Sequence, residues 1–338
     1  MIFTTAILKE VRIMNNPVRK NDTVIHPFRV IVQKEISDHV SSWRFIILIL
    51  IIALTCFGSM YTALTNIGTV VKANDPDGAY LFLKLYTISD GTLPSFFVFV
   101  SFLGPLLGIS LGFDTVNSEQ NKGTLSRILS QPVHRDYLIN AKFVASLTVI
   151  SVLLFALGFL VMGLGMIIIG IPPTPEEFWR MVFFILLSIL YVAFWLNLAI
   201  FFSVRFRQPA TSALSCIAVW LFFTVFYNII VNLIAKAIEP SAMASTNQVF
   251  RYQEIILTLM RILPSELYSD ATTVLLMPSV RSLGPLTMEQ VVGAIPGPLP
   301  LGQSLLLVWS QITGLIAATV LCFVLSYVSF MRREIRSR

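Results

Sequence analysis

Six long apolar stretches, separated by polar segments, dominate the pattern of hydrophobic and polar positions along this chain. About 20 helical residues, each rising 1.5 Å, cover a hydrocarbon core of about 30 Å, so each stretch is long enough to cross a membrane. We therefore predict an all-α polytopic membrane protein with six transmembrane helices. The predicted spans are about Phe45 to Leu64, Pro94 to Phe113, Phe143 to Ile169, Met181 to Phe202, Thr211 to Ala235 and Leu305 to Phe330.

The segment before the first span divides into two parts. Residues 1–26 are weakly patterned and are predicted to form a short tail. Residues 27–44 predict an amphipathic helix lying on the membrane surface, because apolar residues recur there at helical spacing between charged ones. The apolar positions are Phe28, Ile31, Val32, Ile36 and Val40.

Two connections between spans carry recognisable signals. Asn74 to Gly78 is the clearest turn in the loop after the first span. Residues 236–304 are far too long for an ordinary connection. Phe250 to Leu263 and Pro264 to Met277 each show helical spacing of apolar residues, which predicts short helices that dip into the outer leaflet or cap the spans.

Composition supports the membrane assignment: 56% of the 338 residues are hydrophobic and 12% are charged. The net charge of +6 does not indicate nucleic-acid binding, because most basic residues lie beside the apolar stretches. Most of the 24 Lys and Arg residues fall on one side of the predicted spans. The positive-inside rule then places both termini and residues 113–142 in the cytoplasm, since six spans leave both ends on the same side.

The sequence lacks several patterns on which catalysis or metal binding depends. No G-x-x-x-x-G-K-[ST] phosphate loop and no G-x-S-x-G elbow is present. The three His residues are isolated from one another, and each of the three Cys residues lies in an apolar run. We therefore predict no catalytic, metal-binding or cofactor-binding residues in this chain, which is not expected to be an enzyme.

The polar stretch from Phe113 to Asp136 has a regular motif and joins two spans directly. It resembles the signature of ABC transporter permeases of the ABC-2 type, in which an acidic residue follows the second span and precedes E-x-x-x-G-T-L, a leucine-rich turn, P-V-x-R and a further basic residue. Here these elements are Asp114, Glu119 to Leu125, Ile128 to Ser130, Pro132 to Arg135 and Lys142. Lys34 and Glu35 are similar to the K-E pair of the family's elbow helix, which corresponds to residues 27–44.

The resemblance implies a permease subunit in the plasma (inner) membrane of a prokaryote that exports a substrate. Two cytoplasmic ABC ATPase subunits would bind ATP and Mg²⁺, and a second permease subunit, identical or related, would complete the transporter. The implied ATPase-coupling residues are Lys34, Glu35, Asp114, Glu119, Gly123, Thr124, Leu125, Leu129, Pro132 and Arg135.

The residue types in this stretch fit a short rigid helix that carries force. Gly123 allows a sharp entry and Thr124 can cap the helix. Leu125, Ile128 and Leu129 share one face that would seat in a groove. Pro132 ends the helix, leaving Arg135 free to pair outward. An ordinary charged cytoplasmic loop is the alternative interpretation.

Two further sets of residues allow more than one interpretation. Gly104, Gly108 and Gly112 line one face of the second span, where another helix can approach closely, either within the chain or at a subunit interface. Asn228 and Asn232 lie four apart on the fifth span, where they would form hydrogen bonds between helices or line the transport path.

Two other function classes stay open at this point. A non-transporting membrane anchor or mechanotransducer would use residues 236–304 to act on an extracytoplasmic partner. A secondary carrier is disfavoured, because the predicted spans contain essentially no acidic residue and show no inverted repeat. The lining of the spans fits a lipid-like, peptide or small-metabolite cargo equally well.

Overall fold

A computed structural model describes residues 26–70, 80–89, 93–130, 134–241, 244–285 and 297–333. Those residues form helices and contain no strands, and six helices are long and apolar enough to cross a membrane. The all-α, six-span prediction is therefore confirmed. The spans are α2 (Trp43–Val70), α4 (Phe96–Gly112), α7 (Arg135–Ile169), α8 (Pro175–Arg205), the fifth span (α9 Pro209–Leu221, a π-helix Phe222–Phe226 and α10 Tyr227–Ala237) and α14 (Trp309–Arg332).

The fourth span, α8, lies at the centre of the bundle. In its most apolar stretch 72% of the residues are buried, against 11% in the fifth span. The second, third, fifth and sixth spans all pack on α8. Among the described residues, the fifth span is consequently the one that the other helices cover least.

The glycine face of α4 explains how closely the second and fourth spans approach. A methyl group added at Gly108 would meet the Val192 carbonyl oxygen at 2.7 Å, and one added at Gly112 would meet the Leu196 carbonyl oxygen at 2.8 Å. Gly104 faces Val192 in the same way. The face of these glycines is filled by α8 of the same chain, which favours the interpretation of close approach within the chain over a subunit interface or transport path.

Three short helices gather at one end of the bundle, which we call the α1 side. They are α1 (Pro27–Val40), α5 (Asn117–Asn121) and α6 (Thr124–Leu129). The third span begins at Arg135, earlier than the predicted Phe143, so the last part of the predicted 113–142 loop is helical. Apolar content located the membrane-embedded part of the third span, but it did not predict the polar first two turns of the same helix.

Four helices lie at the opposite end of the bundle: α3 (Leu81–Thr87), α11 (Thr246–Met260), α12 (Pro264–Leu276) and α13 (Leu301–Leu307). The helices predicted over 250–263 and 264–277 are thus present. Sequence reasoning missed α3, which is too short to show helical periodicity but is buried between the spans. The predicted turn at Asn74 to Gly78 and the tail over residues 1–25 lie outside the described residues.

Arg180 organises the polar contacts at this opposite end. Its buried guanidinium donates to Glu176 of the same helix at 3.0 Å and to the Leu275 carbonyl oxygen at 3.0 Å. It also donates to the Leu299 carbonyl oxygen at 2.5 Å and to Ser304 Oγ at 3.2 Å. One side chain of the fourth span therefore fixes the end of α12 and the approach to the sixth span.

Candidate functional site

Four charged side chains meet where α1, α5 and the third span come together, and we call them the charge cluster: Lys34, Glu35, Glu119 and Lys142. Lys142 Nζ lies 3.0 Å from Glu119 Oε1 and 3.1 Å from Glu35 Oε2, with only 2% of its side chain exposed. Lys34 Nζ lies 3.0 Å from Glu35 Oε1 and 3.6 Å from Glu119 Oε1. Asp38, one turn further along α1, contacts Lys34 at 3.3 Å.

The surroundings of Glu35 and Lys34 favour their charged forms. Burial raises the pKa of Glu35, but the nearby Lys142 and Lys34 outweigh burial and hold that pKa below its usual range. Burial likewise lowers the pKa of Lys34, and Glu35 and Glu119 more than reverse the effect. Glu35 and Lys34 therefore stay charged near neutral pH, and the cluster joins three elements that are distant in sequence.

A second set of polar contacts surrounds the cluster. Arg44 Nη1 donates to Asp114 Oδ2 at 2.5 Å, linking the start of the first span to the end of the second. His39 Nε2 lies 2.9 Å from Ser146 Oγ, linking α1 to the third span. Arg44, Asp114, His39 and the charge cluster line a polar cavity of about 750 Å³ that opens on the α1 side.

The helix α5 is anchored to the end of the fourth span. Ser203 Oγ accepts hydrogen bonds from the backbone N–H groups of Val116 at 2.9 Å and Asn117 at 3.3 Å. Asn121 Nδ2 donates to the Arg207 carbonyl oxygen at 3.1 Å. Because a helix leaves its first N–H groups without intrahelical acceptors, Ser203 serves as a cap supplied by another element.

The arrangement of α6 departs from the predicted one at two positions. Gly123 precedes α6 with a φ of +67°, a conformation that glycine adopts without strain. The Thr124 hydroxyl donates to the Glu119 carbonyl oxygen at 3.2 Å, and among the described residues it accepts no capping hydrogen bond. Leu125 does not offer an apolar face to a partner, since it is 3% exposed and packs in the core of this chain. Pro132 and the Leu129 side chain lie outside the described residues.

Arg135 points inward, so the prediction that it is free to pair outward is wrong. Its Nη2 donates to the carbonyl oxygens of Phe330 at 2.7 Å and Arg333 at 2.5 Å, and its guanidinium stacks on the Phe330 ring. Carbonyl groups at the end of a helix lack intrahelical donors, and a guanidinium supplies them. Arg135 therefore ties the start of the third span to the end of the sixth.

Lys122 and Arg127 remain as the exposed cations of the site. Both line the cavity, and within the part of the chain that the structure describes neither makes an ion pair. They lie on either side of Gly123 and Thr124, and both are exposed. The sequence analysis did not name them as candidate site residues, because a positive charge is the only signal that they carry.

The two asparagines of the fifth span do not join helices within the chain. Asn228 Nδ2 donates to the Thr224 carbonyl oxygen of its own span at 3.2 Å, and Asn232 is exposed. Among the described residues, neither asparagine therefore forms a hydrogen bond to another helix of this chain, and the alternative that they line the transport path stays a prediction. Lys142, by contrast, was noted in the sequence only as the last basic residue of the motif. In the structure it lies at the centre of the charge cluster.

Hydrogen bonds and ion pairs connect the short helices of the site to the spans. Thr124 of α6 bonds to the Glu119 carbonyl oxygen of α5, and α5 is held to the fourth span by Ser203. The charge cluster connects α5 to α1 and the third span. Removing one partner of a buried ion pair is costly, so these contacts keep the elements in one register.

Comparison with known proteins agrees with this arrangement. A family model described as "ABC-2 family transporter protein" matches residues 29–335, which is most of the chain. The chain is also 23% identical over 146 residues to "Probable ABC transporter permease protein NosY" of Stutzerimonas stutzeri, covering 43% of this chain and 52% of that relative. The match thus spans about half the length of the relative. The chain therefore belongs to the ABC-2 transporter family, as a membrane permease subunit of an ABC transporter.

Proposed function

We propose that the α1 side faces the cytoplasm and that a separate ABC ATPase binds there, at α6. The observation that carries the proposal is the charge cluster, in which Lys142 joins α1, α5 and the third span through two buried carboxylates. A force applied to α6 has a continuous path of hydrogen bonds and ion pairs into the spans. Two ATPase copies, each holding ATP and Mg²⁺, would drive export across a prokaryotic inner membrane.

The exposed cations Lys122 and Arg127 supply the docking charge in this proposal. Charged groups at the rim of an interface chiefly set its orientation and association rate, and a partner surface with carboxylates would complement them. Leu125 and Arg135 would not contact the ATPase in this proposal. Leu125 is buried in the core of the chain, and Arg135 donates hydrogen bonds to the end of the sixth span. Lys34 and Glu35 link docking to movement of α1.

Pairing with a second permease subunit follows from the fifth span. That span is the least covered of the six and exposes Asn232. A side-chain amide in lipid lacks hydrogen-bond partners, so a second copy facing the fifth span would remove that cost. The cargo path would then run between the two subunits.

The test is purification of the chain from its native membrane in mild detergent, with mass spectrometry and an ATPase assay. We expect a P-loop ATPase to accompany the wild-type chain and to be lost from the double variant Lys122→Glu/Arg127→Glu. Lys236→Glu is the matched control, because Lys236 is an exposed cation at the other end of the bundle. Absence of an ATPase from the wild-type eluate, or equal recovery with the double variant, would contradict the proposal.

A further inference from the structure

Four arginines lie where the fourth and sixth spans end on the α1 side, and we call them the arginine patch: Arg205, Arg207, Arg332 and Arg333. Arg205 and Arg332 are the last residues of α8 and α14. The Arg333 guanidinium donates to the carbonyl oxygen of Val204, the residue before Arg205, so the two helix ends are in contact. The fold therefore brings together basic residues that are far apart in the sequence.

No carboxylate balances the patch among the residues that the structure describes. None of its four guanidinium groups forms an ion pair there, while Asp114 and the carboxylates of the charge cluster are engaged with other cations. Burial lowers the pKa of Arg333, and the neighbouring Arg207 and Arg205 lower it further. The guanidinium groups are thus close enough to repel one another.

The helix ends and the next residues of the chain offset little of this charge. The carbonyl end of a helix carries about half a negative charge, so the ends of α8 and α14 offset roughly one of the four positive charges. Glu334 comes next in the sequence, but Arg336 and Arg338 follow it, so this stretch adds more basic than acidic side chains. The patch therefore keeps a positive charge of about three, which attracts anions.

The position of the patch indicates which anion it meets. Arg332 is exposed and continues an apolar stripe of α14, in which Leu321, Leu325 and Val328 recur at helical spacing on one face. The exposed fractions of these three residues are 62%, 49% and 38%. An exposed apolar face that ends in an arginine fits a phospholipid, whose acyl chains lie along the face while its phosphate reaches the guanidinium group.

We propose that the arginine patch binds the headgroup of an anionic phospholipid, with the acyl chains on the exposed face of α14. A guanidinium group binds a phosphate through two parallel hydrogen bonds. A zwitterionic headgroup would bring its own cation beside the arginines, where no carboxylate of the patch would balance it. The bound phosphate would reduce the repulsion among the arginines and so hold the end of the fourth span against the end of the sixth.

The test compares two lipids with the same acyl chains, dioleoylphosphatidylglycerol and dioleoylphosphatidylcholine. Their binding to the purified chain in detergent is measured by native mass spectrometry. The patch variant is Arg205→Gln/Arg332→Gln, and the control Lys236→Gln/Arg251→Gln removes two exposed cations at the opposite end of the bundle. We expect phosphatidylglycerol to bind wild type and the control equally, and phosphatidylcholine to bind all forms weakly.

The patch variant should bind phosphatidylglycerol about 25-fold more weakly than wild type, which is the effect of two charges at about fivefold each. Arg332→Gln alone should weaken binding about fivefold. Without added lipid, the thermal midpoint of the patch variant should be no lower than that of wild type, because removing like charges relieves repulsion. A loss of binding in a folded variant then belongs to the lost charges.

Equal affinity of wild type for the two lipids would overturn the inference, and so would unchanged phosphatidylglycerol binding by the patch variant. Glycerol 3-phosphate that binds as tightly as the lipid would also do so, since it would assign the patch to a soluble anion. Loss of the co-purifying ATPase from the patch variant, with lipid binding intact, would assign the patch to docking. If no ATPase accompanies wild type while lipid binding depends on the patch, only the proposed function fails.

Discussion

At the scale of single residues, the α1 side depends on one buried lysine whose charge is compensated by distant parts of the chain. Lys142 of the third span is held by Glu119, 23 positions away, and by Glu35 of α1. Among the described residues, neither carboxylate contacts a second buried cation that could take the place of Lys142. Most of the stability that the cluster contributes therefore depends on the ammonium group of Lys142.

Replacing Lys142 by Met should lower the free energy of unfolding by about 3 kcal/mol, because it leaves two carboxylates without their buried cation. Unfolding by SDS in mixed micelles measures this quantity. Lys122→Met is the matched control, an exposed lysine of the same region, and should change stability by less than about 0.5 kcal/mol. Equal losses in both variants would show that the cluster contributes no special stability.

His39 should make the protein sensitive to mild acid. Burial lowers the pKa of His39 below 6.5; Glu35, Asp114 and Asp38 act against this, and Lys142 adds to it. The unfolded chain therefore binds a proton near pH 6.5 that the folded chain rejects, so the His39 contribution to stability is present above pH 6.5 and is lost as the pH falls toward the lower folded value.

The measurement is the thermal midpoint at pH 7.5 and 5.5. We expect His39→Gln, which can keep a hydrogen bond to Ser146, to lose less stability on acidification than wild type. His134→Gln alters an exposed histidine and should behave as wild type. An equal acid response in wild type and His39→Gln would contradict the assignment.

At the scale of elements, glycine performs two different tasks. On α4 it allows the fourth span to approach closely, and before α6 it adopts a positive φ. Gly123 has open space around it, whereas Gly108 has none. Substitution by alanine should therefore affect packing at one position and backbone conformation at the other.

Gly108→Ala should lower the thermal midpoint substantially, since the added methyl group would lie 2.7 Å from a backbone oxygen and 2.9 Å from a backbone nitrogen of α8, which have no freedom to rotate away. The expected loss is about 1 to 3 kcal/mol. Gly163→Ala, in the third span with no neighbour within 4 Å, is the control and should be neutral or slightly stabilising. A neutral result for Gly108→Ala would mean that the two spans are further apart than described.

Gly123→Ala should cost about 1 kcal/mol through backbone strain alone. Under the proposed function it should also reduce the amount of ATPase recovered with the chain, because α6 would leave its position. The ratio of ATPase to permease in the eluate measures this. Unchanged recovery of the ATPase would show that docking does not depend on the backbone conformation of Gly123.

At the scale of the whole molecule, the uncovered fifth span leads to a prediction about assembly. In a background without Cys56, Cys216 and Cys322, Asn232→Cys should give a covalent dimer on oxidation in the membrane. Val320→Cys, also exposed but on the sixth span, should stay monomeric. Denaturing gels read both outcomes, and cross-linking of the sixth-span variant alone would place the interface elsewhere.

The spans were predictable because a membrane demands about 20 apolar residues in sequence, a local property. The partner of the glycine face was not, since Val192 and Leu196 lie some 85 positions from Gly108 and apolar spans look alike from any side. The motif around Glu119 located the site, but only the packing of α1 against the third span revealed that Lys142 is its centre. Arg135 was misread because its acceptors are backbone groups 195 and 198 positions away.

The buried Arg180 has a consequence for how the protein is made. Its acceptors outside its own helix belong to residues synthesised 95 to 124 positions later. At roughly 5 to 20 residues per second, the fourth span waits about 5 to 25 seconds before its guanidinium can be satisfied. In a nascent chain halted before Leu299, Arg180 keeps its pair with Glu176 but lacks its Leu299 and Ser304 acceptors, so the contacts of the central helix are completed only when the approach to the sixth span has been made.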